Sequence, residues 1–311
     1  MKRTGTRCAS RDCYTSCVPD PHDYIDQPSL IALIETARLE DLGPSGIDAT
    51  SLCFIDEKTK GSATFVNRQP GVIAGLALLN TIGEVYGGRA SFTLHAQDGQ
   101  AVEAMTPLAT MAGPLRDLLA IERVALNLLT HLSGVASLTA QYVGQCAGTK
   151  AGIYDTRKTL PGLRGLQKYA VACGGGGTHR MGLYDAVLIK DNHLAGTPLE
   201  QLADKLAEAT DHARQTVPGL KFVMVEVDTL EQLTEVLKAP VDLVLLDNMP
   251  PDVLKQAVAM RDQNAPTIEL EASGGVNLDT VGDIAMTGVD RISVGALTHS
   301  ATSLDIGLDI G

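Results

Sequence analysis

The chain has 311 residues, 44% of them hydrophobic and 20% charged, enough to bury one large α/β core or two smaller ones and too apolar for a disordered or fibrous protein. Twenty-five Lys+Arg against 37 Asp+Glu leave a net charge of −12, and no run of about 18 apolar residues occurs. These features argue against a membrane-spanning chain and against general binding to nucleic acid or an anionic bilayer, so an anionic ligand needs a local basic cluster.

The first residues carry basic side chains together with Cys8, Cys13 and Cys17 but no apolar stretch of the kind a secretory leader has. Three thiols with no fourth partner at finger-like spacing match a zinc site poorly, so residues 1–27 read as an extension of a reduced, cytoplasmic protein. Residues 29–42 place apolar side chains at helical spacing, with Pro28 suited to a first turn. Short β-like runs (SATFVN, ASFTLH, PLATMAG) separated by Gly and Pro follow between residues 62 and 111, around one helical stretch at 76–85. This predicts a small α+β domain. Pro114 then opens a long helical tract, with an expected interruption near Ser133 and Gly134.

From Ile153 onward the runs GIYD, AVLIK, FVMVE, LVLLD, IELEAS and RISVG alternate with helical segments. Continuous rather than alternating apolar strands, each followed by a helix, imply parallel βαβ units in a sheet covered on both faces. A barrel is the natural closure. Six strands are readable, and one or two more are expected near residues 134–152.

In such barrels the loops at the C-terminal strand ends carry the chemistry. Here those ends read Asp155-Thr156-Arg157-Lys158, Lys190-Asp191-Asn192-His193, Glu226, Asp247-Asn248, Ser273-Gly274-Gly275 and Ser293-Val294-Gly295-Ala296. Residues 150–193 hold an excess of four positive charges within a chain of net charge −12. Arg pairs bidentately with carboxylates and phosphates while Lys supplies a compact charge, so the mixture suits a small polyanion. Arg157, Lys158, Arg180 and Lys190 read as ligand-binding; Arg164 and Lys168, four apart on a helical stretch, read as a solvated face. Two successive small-residue turns, at 273–275 and 293–296, suit a phosphate. Glu226 and Asp247 end neighbouring strands and could serve acid/base chemistry, neutralise the lysines, or chelate Mg²⁺, the last fitting best beside a phosphate pocket. Cys173, at a helix end before glycines, reads as packing.

The runs IERVALNLLTHLSGVAS, residues 155–193, VEVDTLEQL, LLDNM, LEASGGV and ISVGALTHS closely resemble the quinolinate phosphoribosyltransferases, the carboxylating nicotinate-nucleotide diphosphorylases. The resemblance covers the chain from the first helix to the C-terminus. It implies an N-terminal α/β sandwich, residues 28–130, joined to an incomplete, seven-stranded α/β barrel, residues 131–295, with residues 296–311 returning to the first domain. It implies a phosphoribosyl transfer from 5-phosphoribosyl-1-diphosphate to quinolinate with loss of CO₂, giving nicotinate mononucleotide in NAD biosynthesis and requiring Mg²⁺. It further implies a homodimer, possibly assembled further, in which Arg123 enters the partner's site. Arg157, Lys158, His179, Arg180 and Lys190 would surround the quinolinate carboxylates, with Lys158 or Lys190 assisting reprotonation. Glu226 and Asp247 would address the ribose and Mg²⁺, and Ser273, Gly274, Gly275, Ser293, Val294, Gly295 and Ala296 the 5-phosphate. Asp228 stands where the family commonly has a glutamate, and the glycine run 174–177 suggests a mobile loop presenting His179 and Arg180. The readings set against this one are a nicotinate-specific or molybdate-operon-associated relative, a Schiff-base lyase using Lys190, and a non-catalytic binding protein.

Overall fold

The computed structural model describes residues 18–311; Cys8, Cys13 and Cys17, and the zinc question they raise, lie outside the described residues. The described residues form two compact units, one of 18–137 with 172–175 and 302–311, the other of 138–171 and 176–301.

The first unit opens with α1 (Gln27–Leu42), which starts where the Asp26 carboxylate accepts the Ser29 N–H at 2.9 Å and Pro28 occupies the first turn. Leu30 and Ile34, four apart, form its buried stripe. Asp48 caps the short α2 (Ala49–Phe54) in the same way. An antiparallel sheet follows, built from β1 (Lys60–Asn67), β3 (Ser91–Leu94), β5 (Pro107–Pro114) and β12 (Ile306–Ile310) in the order β12-β1-β5-β3, beside a two-stranded pair of β2 (Gly71–Val72) and β4 (Ala101–Val102). The C-terminal strand β12 pairs along the free edge of β1 from Ala63 to Asn67. The helical stretch at 76–85 divides into a 3₁₀ turn and α3 (Leu79–Val85).

Helix α4 (Leu115–Gln145) runs without the expected interruption. Gly134 is small because the C-terminal backbone crosses it: a Cβ there would stand 2.2 Å from the Thr302 carbonyl oxygen. Ser133 sits beside it for a matching reason, its hydroxyl bonding both the N–H and the carbonyl of Ala74 at 3.0 and 3.2 Å. Small residues here mark close approach, which a sequence cannot distinguish from a helix break. By length and composition α4 would suffice to cross a bilayer, but Leu118, Ile121, Ala125, Leu129, Leu132 and Ala136 are buried within protein, as in a core helix.

The second unit is a parallel sheet of six strands, β6 (Gly152–Tyr154), β7 (Val187–Ile189), β8 (Val223–Val227), β9 (Leu243–Asp247), β10 (Glu269–Ser273) and β11 (Arg291–Ser293), in the order β6-β11-β10-β9-β8-β7. The intervening helices are α5 (Arg164–Cys173), α6 (Asp191–Leu194), α7 (Leu202–Thr216), α8 (Leu230–Val236), α9 (Pro251–Asn264) and α10 (Val281–Ala285), and α11 (Ala296–His299) follows β11. Residues 134–152 contribute no strand before β6, because α4 occupies them to Gln145. In place of the implied seventh strand there is one parallel bridge, Tyr154 to Gly177. Met224, Leu243 and Leu245 pack inside with Leu188 and Phe222, each such burial contributing about 1.5–3 kcal/mol.

Candidate active site

Register decides what the mouth of this sheet contains. In parallel pairing, residues in register share a face. Glu226 pairs with Leu245, Leu245 with Glu271, Glu271 with Arg291, and one layer outward Asp247 pairs with Ser273. The interior therefore changes from the apolar layer of Met224 and Leu243 to carboxylates within one residue pair toward the C-terminal strand ends.

A cavity of about 550 Å³ opens there, and its wall carries Arg157, Lys158, His179, Arg180 and Lys190 together with Glu226, Asp247, Ser273, Gly274, Gly275 and Ser293. Val294, Gly295 and Ala296 are not on that wall; Gly295 lies behind it, where a Cβ would stand 3.2 Å from the Lys158 Cδ. Arg123 belongs to the first unit and projects, largely exposed, from α4. A larger depression of about 830 Å³ at the opposite strand ends is lined by Arg214 and Lys221, whose charges are met by Asp242 at 3.0 Å and Asp185 at 2.9 Å. At the C-terminal mouth, by contrast, Arg157, Lys158 and Arg180 form no ion pair among the described residues.

Lys190, at the end of β7, donates to Glu226 Oε2, and Asp247 Oδ2 accepts from Asn248 Nδ2 at 2.7 Å. Asn248 adopts φ 53, a left-handed conformation that Asn tolerates better than most residues. Its backbone N–H donates to the Ser273 carbonyl at 2.9 Å, which joins the Asp247 and Ser273 loops. Gly274 turns at φ 93 directly against Asn248.

Beneath the mouth lies a buried polar cluster. Lys168 is fully buried and donates to Asp155 Oδ1 at 2.5 Å and to the His179 carbonyl at 3.1 Å, while the same Asp155 oxygen accepts the His179 N–H at 2.8 Å. The expectation of a solvated face for Arg164 and Lys168 is thus wrong. Helical spacing correctly put them on one face, but that face turns inward, and half-buried Arg164 bonds Thr159 at 3.0 Å and the Met181 carbonyl at 3.0 Å. Burial pushes Asp155 up to about 6 against the pull of Lys168 and pushes Lys168 down. Desolvation, then the charges of Arg291, Lys168 and Arg180, push His179 down to about 3. Its Nδ1 accepts the Arg180 N–H at 2.8 Å, which assigns the proton of the neutral ring to Nε2, 3.6 Å from Glu271 Oε1. Arg291 Nε lies 2.8 Å from Glu271 Oε2, and its guanidinium stacks 3.8 Å from the Tyr154 ring centroid. Burial first, then the charge of Arg157, lowers Arg180, and both arginines line the cavity.

His179 and Arg180 are buried rather than presented on a loose loop. The preceding glycines allow close packing: a Cβ at Gly177 would meet the Tyr154 ring at 2.5 Å. Sequence reasoning missed Glu271 and Arg291, and it named Asn248 at a strand end without giving it a role. Glu271 sits inside a largely buried strand and Arg291 opens another, and a charge at a buried strand position was the available signal.

Among the described residues no group of three or more His, Cys, Asp or Glu side chains forms a ready metal cage. Glu226 and Asp247 offer hard carboxylate oxygens on one wall, a donor set that suits Mg²⁺ when phosphate oxygens complete the shell.

Profiles of the quinolinate phosphoribosyl transferase N-terminal and C-terminal domains match residues 48–133 and 135–309. The nicotinate-nucleotide pyrophosphorylase [carboxylating] of Mycobacterium leprae is 46% identical over 89% of this chain and 95% of that protein. A probable enzyme of the same name from Bacillus subtilis is 39% identical over 88% of this chain and 90% of its own length. Among solved structures, the nicotinate-nucleotide pyrophosphorylase of Francisella tularensis superposes with a TM-score of 0.83 at 32% identity, covering 94% of this chain and 100% of that one. The antiparallel sheet, the parallel sheet and the strand-end cavity are carried by a chain that belongs to the quinolinate phosphoribosyltransferase family.

Proposed function

We propose that this protein is a pentosyltransferase that moves the phosphoribosyl group of 5-phosphoribosyl-1-diphosphate to the ring nitrogen of quinolinate, releasing diphosphate and CO₂ and leaving nicotinate mononucleotide for NAD biosynthesis. The observation that carries this reading is the convergence of Arg157, Arg180 and Lys190 with Glu226 and Asp247 on one cavity wall in a chain of net charge −12.

The chemistry follows from charge placement. Arg157, Arg180 and neutral His179 hold the two quinolinate carboxylates, and the planar guanidinium forks orient the ring for attack. Ser273, Gly274 and Gly275 present backbone N–H groups to the 5-phosphate, and Glu226 and Asp247 hold the ribose hydroxyls. As the C1–diphosphate bond breaks, positive charge develops on the ribose, and the adjacent carboxylates stabilise it. Lys158 and Lys190 neutralise the departing diphosphate. The ring nitrogen becomes cationic on attack at C1, and its charge stabilises the electron pair left on C2 when the neighbouring carboxylate departs as CO₂; that pair then takes a proton, which Lys158 or Lys190 is placed to help deliver. Glu226 and Asp247 would also hold Mg²⁺, which supplies charge neutralisation to the diphosphate.

The site is completed by a second copy of the chain, whose Arg123 would add a cation from α4; its exposure supports this reading. A cytoplasmic setting is part of the same proposal, supported by the thiols Cys53 and Cys146, which form no disulfide among the described residues. The lyase alternative is disfavoured because Lys190 is committed as an ammonium donor to Glu226. Incubation with quinolinate, 5-phosphoribosyl-1-diphosphate and Mg²⁺ should yield nicotinate mononucleotide and CO₂; product from nicotinate instead, without CO₂, would replace this reading with the monocarboxylate one.

A further inference from the structure

We propose that the buried Lys168–Asp155 pair is a positioning device that sets the separation of Arg157 and Arg180, and through it the enzyme's grip on a dicarboxylate; this rests on the function proposed above.

The two arginines stand on different segments. Arg157 follows β6, and Arg180 follows the glycine run after α5. Five hydrogen bonds stitch these segments together. The Gly177 N–H donates to the Ile153 carbonyl at 2.7 Å and the Asp155 N–H to the Gly177 carbonyl at 3.2 Å. The Asp155 Oδ1 then takes over from the backbone, accepting the His179 N–H at 2.8 Å and Lys168 Nζ at 2.5 Å, and Lys168 closes the seam on the His179 carbonyl at 3.1 Å. The ladder that would make a seventh strand stops after one bridge, and a side-chain ion pair continues its work. Side chains allow what a ladder does not. Tyr154, Asp155 and the residues beyond can diverge from the 177–180 segment, leaving room for a ligand between Arg157 and Arg180.

Lys168 and Asp155 are both fully buried, and neither lies on the cavity wall. A buried pair of this kind is costly and commonly replaceable by apolar residues when stability alone is at stake. Here each member instead contacts His179, which adjoins Arg180, and Asp155 lies two residues from Arg157. The pair acts through those neighbours, and a shift of about 1 Å in a positioning group is enough to lower turnover substantially.

The test is steady-state kinetics of the full-length enzyme carrying Asp155→Asn with Lys168→Met, which removes both charges while keeping their volume and an acceptor for the His179 N–H. The expected result is a folded protein whose KM for quinolinate rises about tenfold or more while its KM for 5-phosphoribosyl-1-diphosphate stays within about threefold, because Glu226, Asp247 and Ser273 do not depend on the seam. Discrimination between quinolinate and nicotinate, measured as competitive inhibition by nicotinate, narrows in step. Gly177→Ala provides an independent arm: its Cβ strikes the Tyr154 ring, displaces the same segment, and is expected to raise the quinolinate KM selectively even if the double variant does not fold. A quinolinate KM equal to wild type in either folded variant, or equal losses for both substrates, would overturn the inference. Wild-type enzyme that neither binds nor turns over quinolinate would overturn the function itself, so the two failures are distinguishable.

Discussion

Gly274→Ala tests the mouth of the barrel most directly. A methyl group at this position would stand 2.1 Å from Asn248 Oδ1 and 3.0 Å from the Asn248 backbone nitrogen, at a residue whose φ is 93. The left-handed conformation alone costs a non-glycine residue about 1–2 kcal/mol. Asn248 must also swing away, and with it goes the 2.7 Å hydrogen bond from its Nδ2 to Asp247 Oδ2. That bond is solvent-exposed, which places its contribution near 1 kcal/mol rather than the larger figure for a buried charge-assisted bond. The total loss is about 2–3 kcal/mol of stability, read as a lower denaturant midpoint at unchanged slope. In initial-rate assays the KM for 5-phosphoribosyl-1-diphosphate should rise about tenfold or more, with the quinolinate KM far less affected, because in the proposed binding mode the turn and Asp247 hold the sugar phosphate. Adding Asn248→Gly removes the atom the methyl strikes and should restore part of the stability, but not phosphoribosyl diphosphate use, since Asp247 then lacks its amide donor. A Gly274→Ala enzyme that unfolds with wild type and takes this substrate with an unchanged KM would refute the reasoning.

Gly134→Ala should destabilise the first unit by roughly 2–4 kcal/mol, because its Cβ meets backbone rather than a movable side chain, and a thermal or urea melt reads this; wild-type stability would mean the C-terminal crossing is looser than it is drawn here. If the proposed dimer shares its sites, inactive Arg123→Ala and Arg180→Ala proteins, mixed and allowed to exchange subunits, should regain activity, since one of the two sites would then hold both arginines; mixtures that stay inactive would refute the shared site. Glu226→Gln and Asp247→Asn should each raise the KM for 5-phosphoribosyl-1-diphosphate more than that for quinolinate; equal effects would count against their assignment to the sugar. His179 is held at about 3 against an ordinary 6.5, so the unfolded chain binds more protons than the native one between those values. Its contribution is therefore complete above about pH 6.5 and is lost as the pH falls, by about 2 kcal/mol at pH 5. His179→Gln should flatten the wild-type decline in denaturant midpoint between pH 7 and pH 5, and an identical slope in both proteins would refute the buried neutral ring.

Much of this architecture is written along the chain. Uninterrupted apolar runs such as LVLLD need cover on both faces, and that need dictates a parallel sheet with helices between its strands. The polar residues that end each run must then converge at one rim, which is why Arg157, Lys190, Glu226 and Asp247 were legible as a group before any coordinates. Motifs spanning residues 155–193 added the family and its reaction.

What local pattern could not supply was which face turns inward and what crosses it. Helical spacing put Arg164 and Lys168 on one side of α5, but only the packed chain shows Asp155, thirteen residues earlier, waiting inside to meet Lys168. Ser133 and Gly134 looked like a break in α4 because their true partners, Ala74 and Thr302, are remote in sequence. Glu271 and Arg291 became a pair only through strand register. Hydrophobic periodicity is a property of neighbours along the chain and so fixes elements, whereas the cost of burying a charge depends on what lies opposite it, and that is set only once the elements have packed.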